Sequence, residues 1–205
     1  MERLTGFRGV PFIEPIPEDE ATGAIAEIYG EERREDGYVA NTVLAFSHRP
    51  ALLEAWVGLI SAVKAEMDPR RYELVTIAAA RQLRSSYCML AHGQVLASTF
   101  YDDESVRRIA MDHEAAGLDE VDVAVMDLAA KVADDAAAVE QADIDRLRGL
   151  GLTDAEIFDV VAAAAARAFF TKIVDGLGFQ PDAVYAELDP KLRDALVVGR
   201  PIAES

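Results

Sequence analysis

The chain has 205 residues, 51% of them hydrophobic, enough to bury the core of one domain. Its 37 acidic residues outnumber 20 lysines and arginines, for a net charge of −17. A field of that sign repels phosphate backbones and anionic membranes, and it argues against a nucleic-acid partner. The single cysteine, Cys88, excludes a disulfide within the chain and suits a reducing cytoplasm.

The opening residues lack the apolar core of a secretory signal. Residues 1–18, with Pro11, Pro15 and Pro17, read as an extended arm whose Phe12, Ile13 and Ile16 need a surface, on a neighbouring subunit or on the same chain. From Asp19 the pattern turns helical, with Ile25, Ile28 and Tyr29 at three- and four-residue spacing, ending near Gly37. A loop, Tyr38-Val-Ala-Asn-Thr, precedes a second helix from Pro50 through Leu53, Trp56, Ile60 and Val63. Asp68-Pro69 is a strong start signal for a third helix, to about Arg84. A fourth runs from Ser86 to about Phe100, and Asp102 caps a fifth to about His113. A sixth spans roughly Asp119 to Val139. After the Gly149–Gly151 turn, the capping box Thr153-Asp-Ala-Glu156 opens a seventh, to about Asp175. Its stretch from Val160 to Phe170 is the most apolar, yet it contains Arg167 and is too short to span a bilayer. The alanine run at 162–166 points to close helix contact, within the chain or across a subunit boundary. Asp189-Pro190 starts a last short helix in a tail, 181–205. The expectation is an all-α bundle of six or more helices over 19–180.

One cluster carries chemistry. Cys88 and His92 stand four residues apart, on one face of a helix. Ser85 holds the N-cap position, where its hydroxyl is expected to accept from the Cys88 backbone N–H. Cys88 then lies in the first turn, where the helix dipole favours a thiolate, and the His92 imidazole can take the thiol proton. Glu73, on the preceding helix, can reach His92 across an antiparallel hairpin and orient it. Each residue also has a structural reading: a small buried cysteine, a packed histidine, a carboxylate at a helix start, a cap. His48 reads as a loop or capping residue and His113 as a helix-end residue. Neither they nor Cys88 have metal-ligand spacing, and no cofactor loop is present.

The stretch from Glu73 to His92 resembles the signature of the carboxymuconolactone decarboxylase / alkylhydroperoxidase D-like superfamily. That signature is a glutamate, a Cys-x-x-Cys twelve residues on, and a histidine four residues after the second cysteine. Glu73, Cys88 and His92 match. Ile16-Pro-Glu-Asp-Glu-Ala-Thr-Gly23, the Asn41 loop, Ser47-His-Arg-Pro50 and Gly176-Leu-Gly178 resemble the peroxidase-related branch. The resemblance implies an all-helical homo-oligomer, a trimer or hexamer, reducing hydroperoxides with a thiol pair and a glutamate–histidine relay. Ser85 departs from it by standing at the first cysteine. A serine cannot resolve an oxidised Cys88, so an external thiol reductant must. Tyr87 holds the place beside Cys88 where some members carry a second relay histidine, and its phenol titrates too high to serve as a base near neutrality.

Three readings follow. In the first, Cys88 is a peroxidatic thiol acting on a hydroperoxide. In the second, Glu73 and His92 are an acid–base couple acting on a small carboxylate, as in the decarboxylase branch, with Arg81 or Arg84 offsetting the acidic field. In the third, the site has decayed in a non-catalytic oligomer.

Overall fold

The computed structural model describes residues 10–204. Ten α-helices are present among them: α1 (Ala24–Glu35), α2 (Asn41–Ala45), α3 (Pro50–Glu66), α4 (Pro69–Gln82), α5 (Ser86–Thr99), α6 (Asp103–Met111), α7 (Glu120–Asp135), α8 (Gln141–Gly149), α9 (Asp154–Gly176) and α10 (Pro190–Leu196). Two 3-10 turns, Ala136–Ala138 and Ala183–Glu187, complete the set, and no strand occurs among the described residues. None of their helices is long and apolar enough to cross a membrane.

The start signals act as their chemistry dictates. Asp68 accepts from Arg71 N at 2.8 Å with Pro69 at the first helical position, and Thr153 and Glu156 close a reciprocal capping box. Such caps are each worth about 1 kcal/mol. Asp102 and Asp189 cap α6 and α10 in the same way.

Four boundaries differ from the pattern reading. The first helix starts at Ala24 rather than Asp19, because Glu18–Glu20 form a turn and Gly23 enters the helix at φ 59°. The Asn41 loop contains α2, anchored where Asp182 accepts from Asn41 N at 2.9 Å. The sixth helix ends at Asp135, whose side chain caps the 3-10 turn beyond it. The stretch before Gly149 forms α8, held by a Glu140–Asp143 capping box.

Helix α4 is the axle of the bundle. Residues Tyr72 to Ala80 are all buried, and α4 packs against α5, α7 and α9. A helix buried all round must be apolar all round, so its one buried carboxylate, Glu73, stands out. The helix ends in a turn where Ser85 N donates to Ala80 O at 2.9 Å and Arg84 N to Arg81 O at 3.0 Å. Arg84 takes the left-handed conformation there, φ 56°, that glycine normally fills. The turn reverses the chain, so α5 returns along α4.

The start of the arm, residues 1–9, lies outside the described residues. Its described part lies on its own chain. Phe12 N donates to Leu177 O at 2.8 Å, Ile16 N to Ser47 Oγ at 3.1 Å, and His48 Nε2 meets Glu14 O at 2.8 Å. Helix α10 packs on α5 and α6, and the chain beyond it returns to the α4–α5 turn.

Candidate active site

The α4–α5 hairpin brings Glu73 and His92 together as the spacing predicts: Glu73 Oε2 is 2.5 Å from His92 Nδ1. A carboxylate oxygen accepts, so Nδ1 carries the proton and Nε2 keeps its lone pair. The His92 side chain is 17% exposed. Burial holds its pKa below the ordinary imidazole value, the charge of Arg167 pushes it the same way, and Glu73 opposes both. The neighbourhood therefore favours neutral imidazole, a form able to accept a proton.

Cys88 is 2% exposed. Its sulfur finds its polar partners on α9, not on His92. Sγ lies 3.3 Å from Thr171 Oγ1 and accepts from Arg167 Nη1 at 3.7 Å. Arg167 is itself 3% exposed, and no carboxylate pairs with it among the described residues. Its other partners are the Tyr72 hydroxyl, at 3.0 Å from Nη2, and the faces of Trp56 and Phe170, 5.6 and 5.7 Å from the guanidinium carbon. The contacts with Cys88 and Tyr72 help Arg167 stay charged against burial, and its pKa lies above the ordinary value.

Cys88, His92 and Arg167 line one cavity of about 620 Å³. Aromatic rings form part of its wall: Trp56 stacks on Phe170 with centroids 4.1 Å apart, Tyr87 meets Tyr185 edge-on at 5.9 Å, and Tyr72 stands edge-on to His92 at 6.1 Å. That size suits a small organic ligand and far exceeds hydrogen peroxide. Among the described residues no cluster of His, Cys, Asp and Glu could hold a metal ion.

Tyr87 reaches this cavity, but its hydroxyl donates to Asp182 and receives a longer contact from Thr42 Oγ1 at 3.5 Å. Burial and the Asp182 charge drive its pKa far above that of a free phenol. Asp182 is raised by burial, while its bonds to Tyr87 and Asn41 pull it down.

Ser85 does not cap α5 through its side chain. Its buried hydroxyl lies beside the half-buried carboxyl of Asp175 on α9. The left-handed turn at Arg84 and the neighbouring α9 carboxyl set the hydroxyl's surroundings. Arg81 and Arg84 also stand apart from the cavity. Arg81 donates to Ala110 O, and Arg84 is spent on the turn. Arg167 is the arginine of the site.

Arg167, Thr171 and Asp182 were not singled out by the motif. One signal for Arg167 was in the pattern: it falls on the buried stripe Val160, Ala163, Ala164, Thr171 and Val174 of α9. An arginine on the core face of an apolar helix needs a reason to be there. Asp182 lies 95 residues from Tyr87 and carries no comparable mark.

No family model matches the chain. Over 110 residues it is 36% identical to an alkyl hydroperoxide reductase of Mycobacterium tuberculosis, a match covering 53% of this chain and 32% of the relative. The match thus spans about a third of that relative's length. Among solved structures, a peroxidase-related protein of Ralstonia eutropha with an alkylhydroperoxidase D core superposes with a TM-score of 0.74 at 22% identity, covering 93% of this chain and 98% of the other. A peroxidase-related protein of Silicibacter superposes with a TM-score of 0.73 at 20% identity, covering 91% and 98%. The chain therefore shares the fold of these alkylhydroperoxidase D-like, peroxidase-related structures.

Proposed function

We propose that the chain is a hydroperoxide-reducing thiol enzyme with Cys88 as its peroxidatic residue. The observation that carries this reading is the setting of Sγ, held between Arg167 Nη1 and Thr171 Oγ1 in a cavity shared with the Glu73–His92 pair. As the thiol proton leaves, the negative charge growing on sulfur faces a buried guanidinium. The proton passes within the cavity to neutral His92, whose Nδ1–H stays on Glu73. The thiolate then attacks one oxygen of the hydroperoxide. An S–O bond forms, the O–O bond breaks, and the alkoxide takes a proton from His92 and leaves as an alcohol. Cys88 is left as a sulfenic acid, and an external thiol restores it.

The alkyl hydroperoxide reductase relative supports this reading at the level of the reaction class. The test is to add one equivalent of an organic hydroperoxide, trap with a sulfenic-acid probe and read the intact mass. Fast labelling that depends on His92 and disappears in Cys88→Ser is the expected result. Absence of labelling over hours would overturn the proposal.

One observation favours a second reading. A buried arginine without a carboxylate is also a receptor for an anionic substrate, and Glu73 with His92 would then act as the acid–base couple on a small carboxylate. Saturable binding of a lactone acid, lost in Arg167→Met and kept in Cys88→Ser, would select this reading over the first.

A further inference from the structure

Resting on the peroxidase reading, the geometry points to a low-molecular-weight thiol, rather than a protein dithiol, as the reductant of Cys88. Two sides of the cysteine carry the argument.

The side where the superfamily's first cysteine would stand is closed. Ser85 and Ser86 have no exposed surface. Gly199 N donates to Ser86 Oγ at 2.8 Å, and Arg200 donates to Asp175 O at 2.8 Å through Nη2. The tail lies so close that a Cβ on residue 199 would stand 1.9 Å from Arg84 O, which only glycine avoids. A reductase has no exposed position 85 to attack, and the serine there offers no sulfur.

The other side is the cavity. A disulfide holds its two Cα atoms roughly 4.4–6.8 Å apart. A protein thiol bonded to Cys88 would therefore bring its own backbone among Trp56, Phe170 and Tyr87, which wall the cavity. A space of about 620 Å³ accepts a free thiol of up to peptide size, but not the surface of a folded domain. The buried Arg167 at Sγ gives this opening a charged end, and Asp36, Lys64 and Asp182 add charge to walls that also carry aromatic rings.

The chemistry balances with two thiol molecules. The first attacks the sulfenic sulfur. The S–O bond breaks, an S–S bond forms, and hydroxide leaves with the thiol proton as water. The second attacks the outer sulfur of the mixed disulfide, releases Cys88 as a thiol and departs as the small-molecule disulfide. Two thiols are oxidised for each hydroperoxide reduced.

The experiment follows release of a glutathione adduct from Cys88 by intact mass. The adduct is made in two ways: by oxidising with cumene hydroperoxide and then adding glutathione, and by incubating the reduced protein with glutathione disulfide. Each adduct is then offered glutathione, or thioredoxin with its reductase and NADPH, at equal thiol concentration. The inference expects both routes to load Cys88, and release by glutathione at least roughly 100-fold faster than by thioredoxin, since exchange is limited by access to the attacked sulfur. Val184→Trp, at an exposed wall of the cavity, should slow loading and release about 10-fold without touching the reacting groups. Release by thioredoxin at an equal or greater rate, or failure of glutathione disulfide to load Cys88, would overturn the inference. Failure of the hydroperoxide route alone would sink the peroxidase reading instead, with access still decided by the disulfide route.

Discussion

Two arginine sites in this molecule handle buried charge in opposite ways. At the base of α4, Arg70 and Arg71 converge on Asp122 of α7, a fully buried carboxylate. Arg70 Nη1 lies 2.6 Å from Oδ2 and Arg71 Nε 3.8 Å from Oδ1. The same Arg70 Nη1 also donates to the Tyr101 hydroxyl, and Arg71 Nη1 lies 3.8 Å from Glu156 Oε1. Opposite charges meet, and the cluster joins α4 to α7. On α9, Arg167 is buried just as deeply as the core around it, and its neighbours are a thiol, a phenol and two aromatic rings. An unmatched buried cation is costly, and a place where an anion forms or arrives is one that offsets the cost. The first site reads as architecture, and the second is where the proposed chemistry falls.

Substitutions can break or sharpen that contrast. The largest effect belongs to Cys88→Ser, which should cut hydroperoxide reduction by about 10³-fold or more, with a melting temperature near that of the parent. Next comes Arg167→Met. Replacing an unmatched buried charge with an apolar side chain of similar length should leave unfolding free energy within about 1 kcal/mol or raise it. Initial rates should still fall roughly 10²-fold, as when a donor to developing charge is removed. Urea unfolding beside steady-state kinetics reads both, and a large loss of stability with an unchanged rate would make Arg167 structural. Arg70→Ala should do the reverse. It leaves Asp122 with only the more distant Arg71 and should cost about 2–3 kcal/mol, below the range for a fully broken buried pair because Arg70 is partly solvated. Activity per folded molecule should stay unchanged.

The smallest effect is a displacement in pH. His92 titrates below the ordinary imidazole value, so the acid limb of the rate profile should fall below about pH 6.5. Arg167→Met removes a cation that presses His92 toward neutrality and should move the limb to higher pH. Glu73→Gln removes the carboxylate that opposes this and should move it lower. Between the folded value and about 6.5 the unfolded chain binds more protons than the folded one, so stability falls as pH drops through that window. Limbs that moved together in the two variants would contradict the assignment.

What the sequence made legible divides along the same line. Local chemistry was legible. Asp68-Pro69, Thr153 with Glu156, and Asp189-Pro190 start helices where caps must. The four-residue spacing of Cys88 and His92, with Glu73 one helix earlier, matches a hairpin that brings Glu73 to His92. Short helices were not legible: α2 and α8 rest on Asp182 and on a Glu140–Asp143 box rather than on a long apolar stripe. The cap expected of Ser85 failed because the left-handed Arg84 and the half-buried Asp175 set that hydroxyl's surroundings. Arg167 was visible only as a charge interrupting an apolar run. Its meaning needed α9 to be laid against α5. Asp182 and Tyr185 reach the cavity from the tail, a juxtaposition no local pattern encodes.

Trp56 has a consequence of a different kind. It is the single tryptophan of the chain, it stacks on Phe170, and it lies beneath the guanidinium of Arg167 at the cavity wall. Indole emission responds to nearby charge and to contact with other rings. The protein thus carries an intrinsic fluorophore at the wall of the cavity where the proposed reaction would occur. Entry of a ligand, or a change of charge on the sulfur beyond Arg167, should register as a shift in brightness or colour in unlabelled protein, on the millisecond scale of a stopped-flow mixer.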